Sequence, residues 1–171
     1  MGKIFFCSDT HFNHTNILKY EPDERFSTVE DRNEFIIENW NRVVKPEDKI
    51  YHLGDVFMGK LEDYIPIHKR LAGKKRLIVG NHDRIVATCQ QQLFQKVMLW
   101  KVFNDPPFLF THVPVHPSTI TERTGFDSGW NIHGHTHSNG SPEPQYRSVC
   151  VELNNYTPVE FDFLYEEWKK Q

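Results

Sequence analysis

The sequence has no long apolar run, few cysteines and no strong charge of either sign, and each shortage removes a class of protein. Its first apolar stretch, Ile4-Phe5-Phe6-Cys7, turns polar at Ser8 and Asp9. That is too short for the hydrophobic segment of a signal peptide, and no later stretch approaches the length of about 20 residues that a membrane span needs. With 23 acidic and 20 basic residues the net charge is −3 and the pI about 6.4. No global field draws the chain to nucleic acid or an anionic membrane, so any affinity for phosphate has to be local. The cysteines, Cys7, Cys89 and Cys150, are an odd number without close pairing. They read as reduced core thiols rather than as a disulfide framework. A soluble, cytoplasmic protein is expected.

What remains is ordinary in bulk. A chain of 171 residues, 38% hydrophobic and 25% charged, fits one domain over residues 1–171 with a core of its own. The outlier is histidine, of which there are ten.

Ile4 to Cys7, Lys49 to Leu53 and Arg76 to Val79 are short continuous apolar runs, suited to strands buried on both faces. Between them, Ser27 with Glu30 forms a capping box for a helix whose apolar face is Phe35, Ile36, Trp40, Val43 and Val44. A second helix is expected from Leu61 to Leu71, weakened by Pro66, and a looser one from Ile85 to Phe94. Val97 to Phe103 and Phe108 to Phe110 read as strands around the turn Asn104-Asp105-Pro106-Pro107. Residues Pro114 to Gly129 read as a loop with one helical turn at most, Asn131 to His133 as a short run, and Ser148 to Leu153 and Val159 to Leu164 as two last strands. Strands and helices alternating early, with strands late, indicate an α/β domain with more than one sheet.

The chemistry lies at the ends of these runs. Leu77-Ile78-Val79 leads into Gly80-Asn81-His82-Asp83, where the glycine is expected to permit a tight turn. Asp9 and His11 follow the first run, Asp55 the second, His112 the fifth, and His135 with His137 the run after that. Ligands of open α/β sheets collect outside the carboxyl ends of strands, so these termini are expected to converge. An Asp-x-His or a Gly-Asp alone is usually just a loop; five in series at strand ends are not. The donors are nitrogen and oxygen, and no cysteine lies near them in sequence, which disfavours a thiolate zinc site and suits manganese, iron, zinc or nickel. A carboxylate able to bridge allows two such ions about 3.5–4 Å apart, an arrangement used on phosphate esters.

Asp9-x-His11, Gly54-Asp55, Gly80-Asn81-His82-Asp83, His112 and Gly134-His135-x-His137 together resemble the motif series of the calcineurin-like metallophosphoesterases, over residues 9–137. Asp9-Thr10-His11-Phe12-x-His14, and Val151-Glu152-Leu153-x-Asn155-Tyr156-x-Pro158-Val159, resemble small bacterial and phage members. The resemblance implies a four-layer α/β sandwich of two mixed β-sheets flanked by helices. It implies one metal ion on Asp9, His11 and His137, another on Asn81, His112 and His135, and Asp55 between them. His82 would be a non-ligand general acid, with Asp83 orienting its ring, while a metal-bridging hydroxide attacks the phosphorus. Manganese is the expected metal. His14, Arg25 and His116 are candidates for substrate contact, whereas His133 reads as a packed strand residue and His52 and His68 as strand and helix-surface histidines. After Asp55 comes Val56-Phe57-Met58, not the Asp-Arg-Gly of serine/threonine protein phosphatases, so protein substrates are not expected. The expected partner is a small phosphorylated compound such as a nucleotide, not a membrane or a nucleic acid. The competing readings are a non-catalytic metal-binding scaffold of the same fold and a nuclease.

Overall fold

The computed structural model describes residues 2–85, 92–141 and 144–170. Strands β1 (Ile4–Cys7), β2 (Lys49–His52), β3 (Lys74–Ile78) and β4 (Lys96–Met98) lie parallel, and β9 (Val159–Glu160) closes the sheet antiparallel to β1, in the order β4-β3-β2-β1-β9. A second mixed sheet runs β5 (Lys101–Asn104), β6 (Pro107–Phe110), β7 (Trp130–His133) and β8 (Tyr146–Ser148), with only β5 antiparallel to its neighbour.

The pleat sorts successive apolar residues to opposite faces, which makes the layers. Phe6, Tyr51 and Ile78 point inward against Phe108, Phe110, Trp130 and Ile132 of the other sheet. Phe6 and Phe110 stack with ring centroids 4.4 Å apart. Their neighbours Phe5, Ile50 and Leu77 point outward, beneath Ile36, Ile37 and Trp40 of α2 (Val29–Val43) and Tyr64 of α3 (Leu61–Arg70). Leu109 and Tyr146 pack outside the second sheet against Ile120 of α4 (Pro117–Thr124). Helix, sheet, sheet, helix is the four-layer order expected. No helix among the described residues is long and apolar enough to cross a membrane.

Several elements differ from the sequence reading. The capping box of α2 is Thr28 with Asp31, one residue later than Ser27 with Glu30; both pairs have the right spacing, and the Thr28 hydroxyl is the one that accepts the Asp31 N–H at 3.1 Å. The run Val97 to Phe103 breaks at Leu99-Trp100, so that its halves become edge strands of different sheets. Residues Pro117–Thr124 form a full helix, α4, ended by Gly125 at φ 76°. Ser148 to Leu153 leaves the strand for a 3-10 helix at Val151–Asn154, and the last expected strand is mostly helix α5 (Phe161–Trp168). In α5, Phe161, Leu164, Tyr165 and Trp168 have helical spacing, and Leu164 is buried between the sheets. His68 is buried, with its ring 5.5 Å from Phe94 and 5.7 Å from Tyr64, rather than at the helix surface. Cys7 and Cys150 are free and buried. Cys89 and most of the stretch 85–94 lie outside the described residues.

Candidate metal centre

Because β1, β2, β3, β6 and β7 finish at one edge of the sandwich, their following residues meet there. Ser8 ties the two sheets together, donating its N–H to Val149 and accepting from Val151 at 3.0 and 3.1 Å. Beyond it, Asp9 and His11 donate N–H to the carbonyls of Gly54 and Asp55 at 3.0 and 3.1 Å, fixing the first motif against the second.

Two triads result. Asp9, His11 and His137 offer ligand atoms within 4.8 Å of one another, and so do Asp55, His112 and His135. Asn81 turns its amide oxygen into the second group, 2.9 Å from His112 Nε2 and 3.1 Å from His135 Nδ1. The carboxylate of Asp55 joins the groups: its Oδ2 lies 3.4 Å from His112 Nε2 and 3.6 Å from His11 Nε2. Asp9 Oδ1 and both ring nitrogens of His11 are buried without a hydrogen-bond partner. Buried polar atoms are rarely left so, and a divalent cation would satisfy Asp9 Oδ1 and one of the His11 nitrogens together. The residues present fit a metal.

The charges fit as well. Burial lowers the pKa of His11 to about 3, which leaves a neutral imidazole with a lone pair to give. Burial opposes the charge on Asp55, but the hydrogen bond and attraction of His112 outweigh it and hold its carboxyl near 2. Asp9 is pushed up from the ordinary carboxylate value by burial, against the attraction of His112 and His137.

The backbone here is strained. Asp9, His11, Asp55, His135 and His137 have φ of 58°, 43°, 57°, 71° and 48°, a left-handed region that costs a side-chain-bearing residue on the order of 1–2 kcal/mol. The surrounding fold offsets that cost, and the side chains point inward as a result. Gly80 departs from the role expected of it. Its φ is not positive; instead, a Cβ there would run into Asp55 Oδ1. Gly134 likewise makes room first for the Ser8 hydroxyl and then for Asp9 Oδ2, which a Cβ would approach to 2.5 Å. Both glycines leave space for side chains of the site.

A family model of the calcineurin-like phosphoesterase superfamily domain matches residues 3–151. The chain belongs to the calcineurin-like phosphoesterase superfamily. It is 36% identical to an uncharacterized protein of Methanocaldococcus jannaschii over 96% of this chain and 90% of that one. Gene 66 protein of Mycobacterium phage D29 is 32% identical over 49% of this chain and 42% of its own. Among solved structures, a protein of unknown function from Aquifex aeolicus superposes with a TM-score of 0.78 at 28% identity, covering 97% of this chain and 99% of that one. The two His/Asp triads are thus candidate metal sites of a metal-dependent phosphoesterase family.

Over the triads of this phosphoesterase lies a cleft of about 430 Å³, whose wall includes His14 and His82. The structure does not bring the other two candidate substrate residues there. Arg25 is held by Asp23 at 2.6 Å and Asn155 at 2.7 Å, and lies over the rings of Phe26, Phe35 and Tyr156. His116 caps α4, its Nδ1 accepting the Ser118 N–H at 3.3 Å. A larger cavity, about 710 Å³, lies by Trp130 at the opposite end of β7 and holds no ligand-type cluster among the described residues.

Asp83 also departs from expectation. Its carboxylate accepts the backbone N–H groups of Asp55, Val56 and Gly80 at 3.0, 2.9 and 2.8 Å, so it pins the β2 and β3 motifs to each other rather than orienting the His82 ring. Three donors on one carboxylate predict that Asp83→Ala lowers stability by about 2–4 kcal/mol. Urea denaturation checks this, and an unchanged midpoint would show that the contacts carry nothing.

Sequence reasoning missed what stands behind the candidate metal ligands. Glu152, in the 3-10 helix after β8, has Oε1 3.4 Å from His137 Nδ1 and 2.9 Å from Nη2 of the fully buried Arg32, whose Nη1 donates to the Thr10 carbonyl at 2.6 Å. The signals were an acid inside an apolar run and the resemblance of the stretch from Val151 to Val159 to small family members, neither of which gave Glu152 a role. A carboxylate behind a ligating imidazole fixes its orientation, so Glu152→Gln should weaken metal binding about 10- to 100-fold, as read by titration calorimetry. Cys150, too, is at the site despite its distance in sequence: its Sγ donates to Asp9 Oδ2 at 3.2 Å. Burial drives its thiol pKa far up, so it is a neutral donor and not a thiolate ligand.

Proposed function

We propose that this protein hydrolyses a small phosphomonoester or phosphodiester, with a nucleotide as one fitting substrate, using two divalent cations held together by Asp55. The observation that carries the reading is the position of Asp55 Oδ2, within 3.4 and 3.6 Å of a histidine from each triad. Asp9, His11 and His137 would hold one cation, and Asn81, His112 and His135 the other. Manganese is the cation we expect there, drawn by the carboxylates, and the imidazoles would equally accept iron, zinc or nickel. Such cations, when bound, make a water acidic enough to supply a nucleophile near neutral pH and offset the charge of the phosphate.

The chain's own part is to position and to move a proton. His82 is anchored by its backbone N–H, which donates to Asp55 Oδ1 at 2.9 Å, while its side chain stands exposed in the cleft wall with its ring 5.6 Å from that of His11. From there the imidazole gives its proton to the departing oxygen. Protein loaded with manganese should hydrolyse p-nitrophenyl phosphate, bis-p-nitrophenyl phosphate or both. Failure on both, with metal shown to be bound, would overturn the proposal.

A further inference from the structure

We infer that the cleft selects esters with a single phosphoryl group, joined to a flat aromatic group that adds no negative charge and stacks on Tyr20. This rests on the phosphoesterase reading for the place of the phosphate and extends it to the rest of the substrate.

Tyr20, at the end of the single-turn helix α1 (Ile17–Tyr20), lines the cleft with 69% of its surface exposed. Its ring lies 6.1 Å from that of His14, and Ile17 and Met58 add an apolar flank. An exposed ring beside a phosphate site is a stacking platform, and nucleobases are the common flat partner for one.

The charge of the walls narrows the choice. Among the described residues lining the cleft there is no Lys or Arg, and one is the carboxylate of Glu21. On the other side of Met58, which lines both, lies a groove bordered by Glu30, Glu62 and Asp63, again without a cation among its described lining residues. Lys60 pairs with Glu62 at 3.5 Å, which leaves Glu30 and Asp63 to set the sign there. One phosphate can be held over the triads, but a second, placed in either direction, faces carboxylates. Like charges in a concave site exclude the wrong ligand. Nucleoside diphosphates, bisphosphates and single-stranded nucleic acid should therefore be poor ligands.

Equilibrium binding separates this inference from catalysis. Manganese-loaded protein carrying His82→Ala, expected to keep its metal while cleaving these alkyl esters too slowly to disturb the measurement, is titrated calorimetrically at low salt with glycerol 3-phosphate, thymidine 5′-monophosphate and thymidine 3′,5′-bisphosphate. Turnover is followed separately with unsubstituted protein. The monophosphate should bind at least about 5-fold more tightly than glycerol phosphate, given the usual strength of base stacking. The bisphosphate should bind at least about 5-fold more weakly than the monophosphate, with the gap shrinking in 0.5 M salt as charge is screened. Tyr20→Ala should bring the monophosphate down to the glycerol phosphate level, and Glu21→Gln with Asp63→Asn should narrow the bisphosphate gap. A bisphosphate that binds as tightly as the monophosphate, no binding of any of the three, or a nucleoside advantage that survives Tyr20→Ala would overturn the inference. If the predicted order holds while no ester is cleaved, the hydrolytic reading falls and the cleft assignment stands. Turnover with the order reversed does the opposite.

Discussion

Asp55→Asn is expected to lower turnover by at least about 100-fold and to weaken metal binding at both triads together. Asparagine has the same shape and can keep its Oδ1 on the His82 N–H, so the local fold survives. What changes is Oδ2, which becomes an amide nitrogen facing His11 and His112. A donor would then stand where the two proposed cations take an acceptor. Removing one charge of a buried charged cluster costs about 3–5 kcal/mol, and about 1.4 kcal/mol is a factor of ten. Metal analysis after dialysis and initial rates on bis-p-nitrophenyl phosphate test this. If only one site loses metal, Asp55 belongs to that triad and joins nothing.

His82→Ala is expected to leave metal content unchanged and to lower the rate about 100- to 10,000-fold for esters with poor leaving groups, the range that a positioned acid supplies. The substitution keeps the backbone N–H that anchors the loop to Asp55. Only the imidazole is lost. Nitrophenolate departs without a proton, so nitrophenyl esters should lose far less than alkyl esters. Equal losses on both would exclude His82 as the acid, and loss of bound metal would make it a ligand. Comparing a methyl phosphate ester with a nitrophenyl one, each with metal measured on the same sample, decides between these outcomes.

The early strands were legible because each is a short apolar run ended by a turn. Asp9, His11, Asp55, Asn81, His112, His135 and His137 were legible because they follow such runs in a series with characteristic spacing. Elements were misread where one local pattern suits two structures. Val97 to Phe103 has the composition of one long strand, yet the chain uses its middle to cross between sheets. Val159 to Leu164 is rich in strand formers, and packing of Leu164 between the sheets gives it a helix instead.

Side-chain roles divide in the same way. An imidazole after a strand has few places to point, but an Asp at a strand end can accept from backbone as readily as it can orient a ring. Asp83 does the former because the β2 and β3 loops bring three N–H groups to it. Arg25, His14 and His116 are equally polar loop residues in the sequence. Only the fold sends Arg25 to Asp23 and a cage of rings, His116 to a helix cap, and His14 to the cleft.

The sequence by itself determined the α/β class, the order of the donors and the family, because apolar period and motif spacing are local properties of a chain. The tertiary structure alone decided that Asp55 stands between two triads, that five of the donors themselves take left-handed backbone, and that Glu152, Arg32 and Cys150 lie behind them. Those are relations between residues up to 141 positions apart. No spacing encodes them, since they arise when the two sheets meet at Ser8 and the carboxyl ends of five strands are brought to one edge.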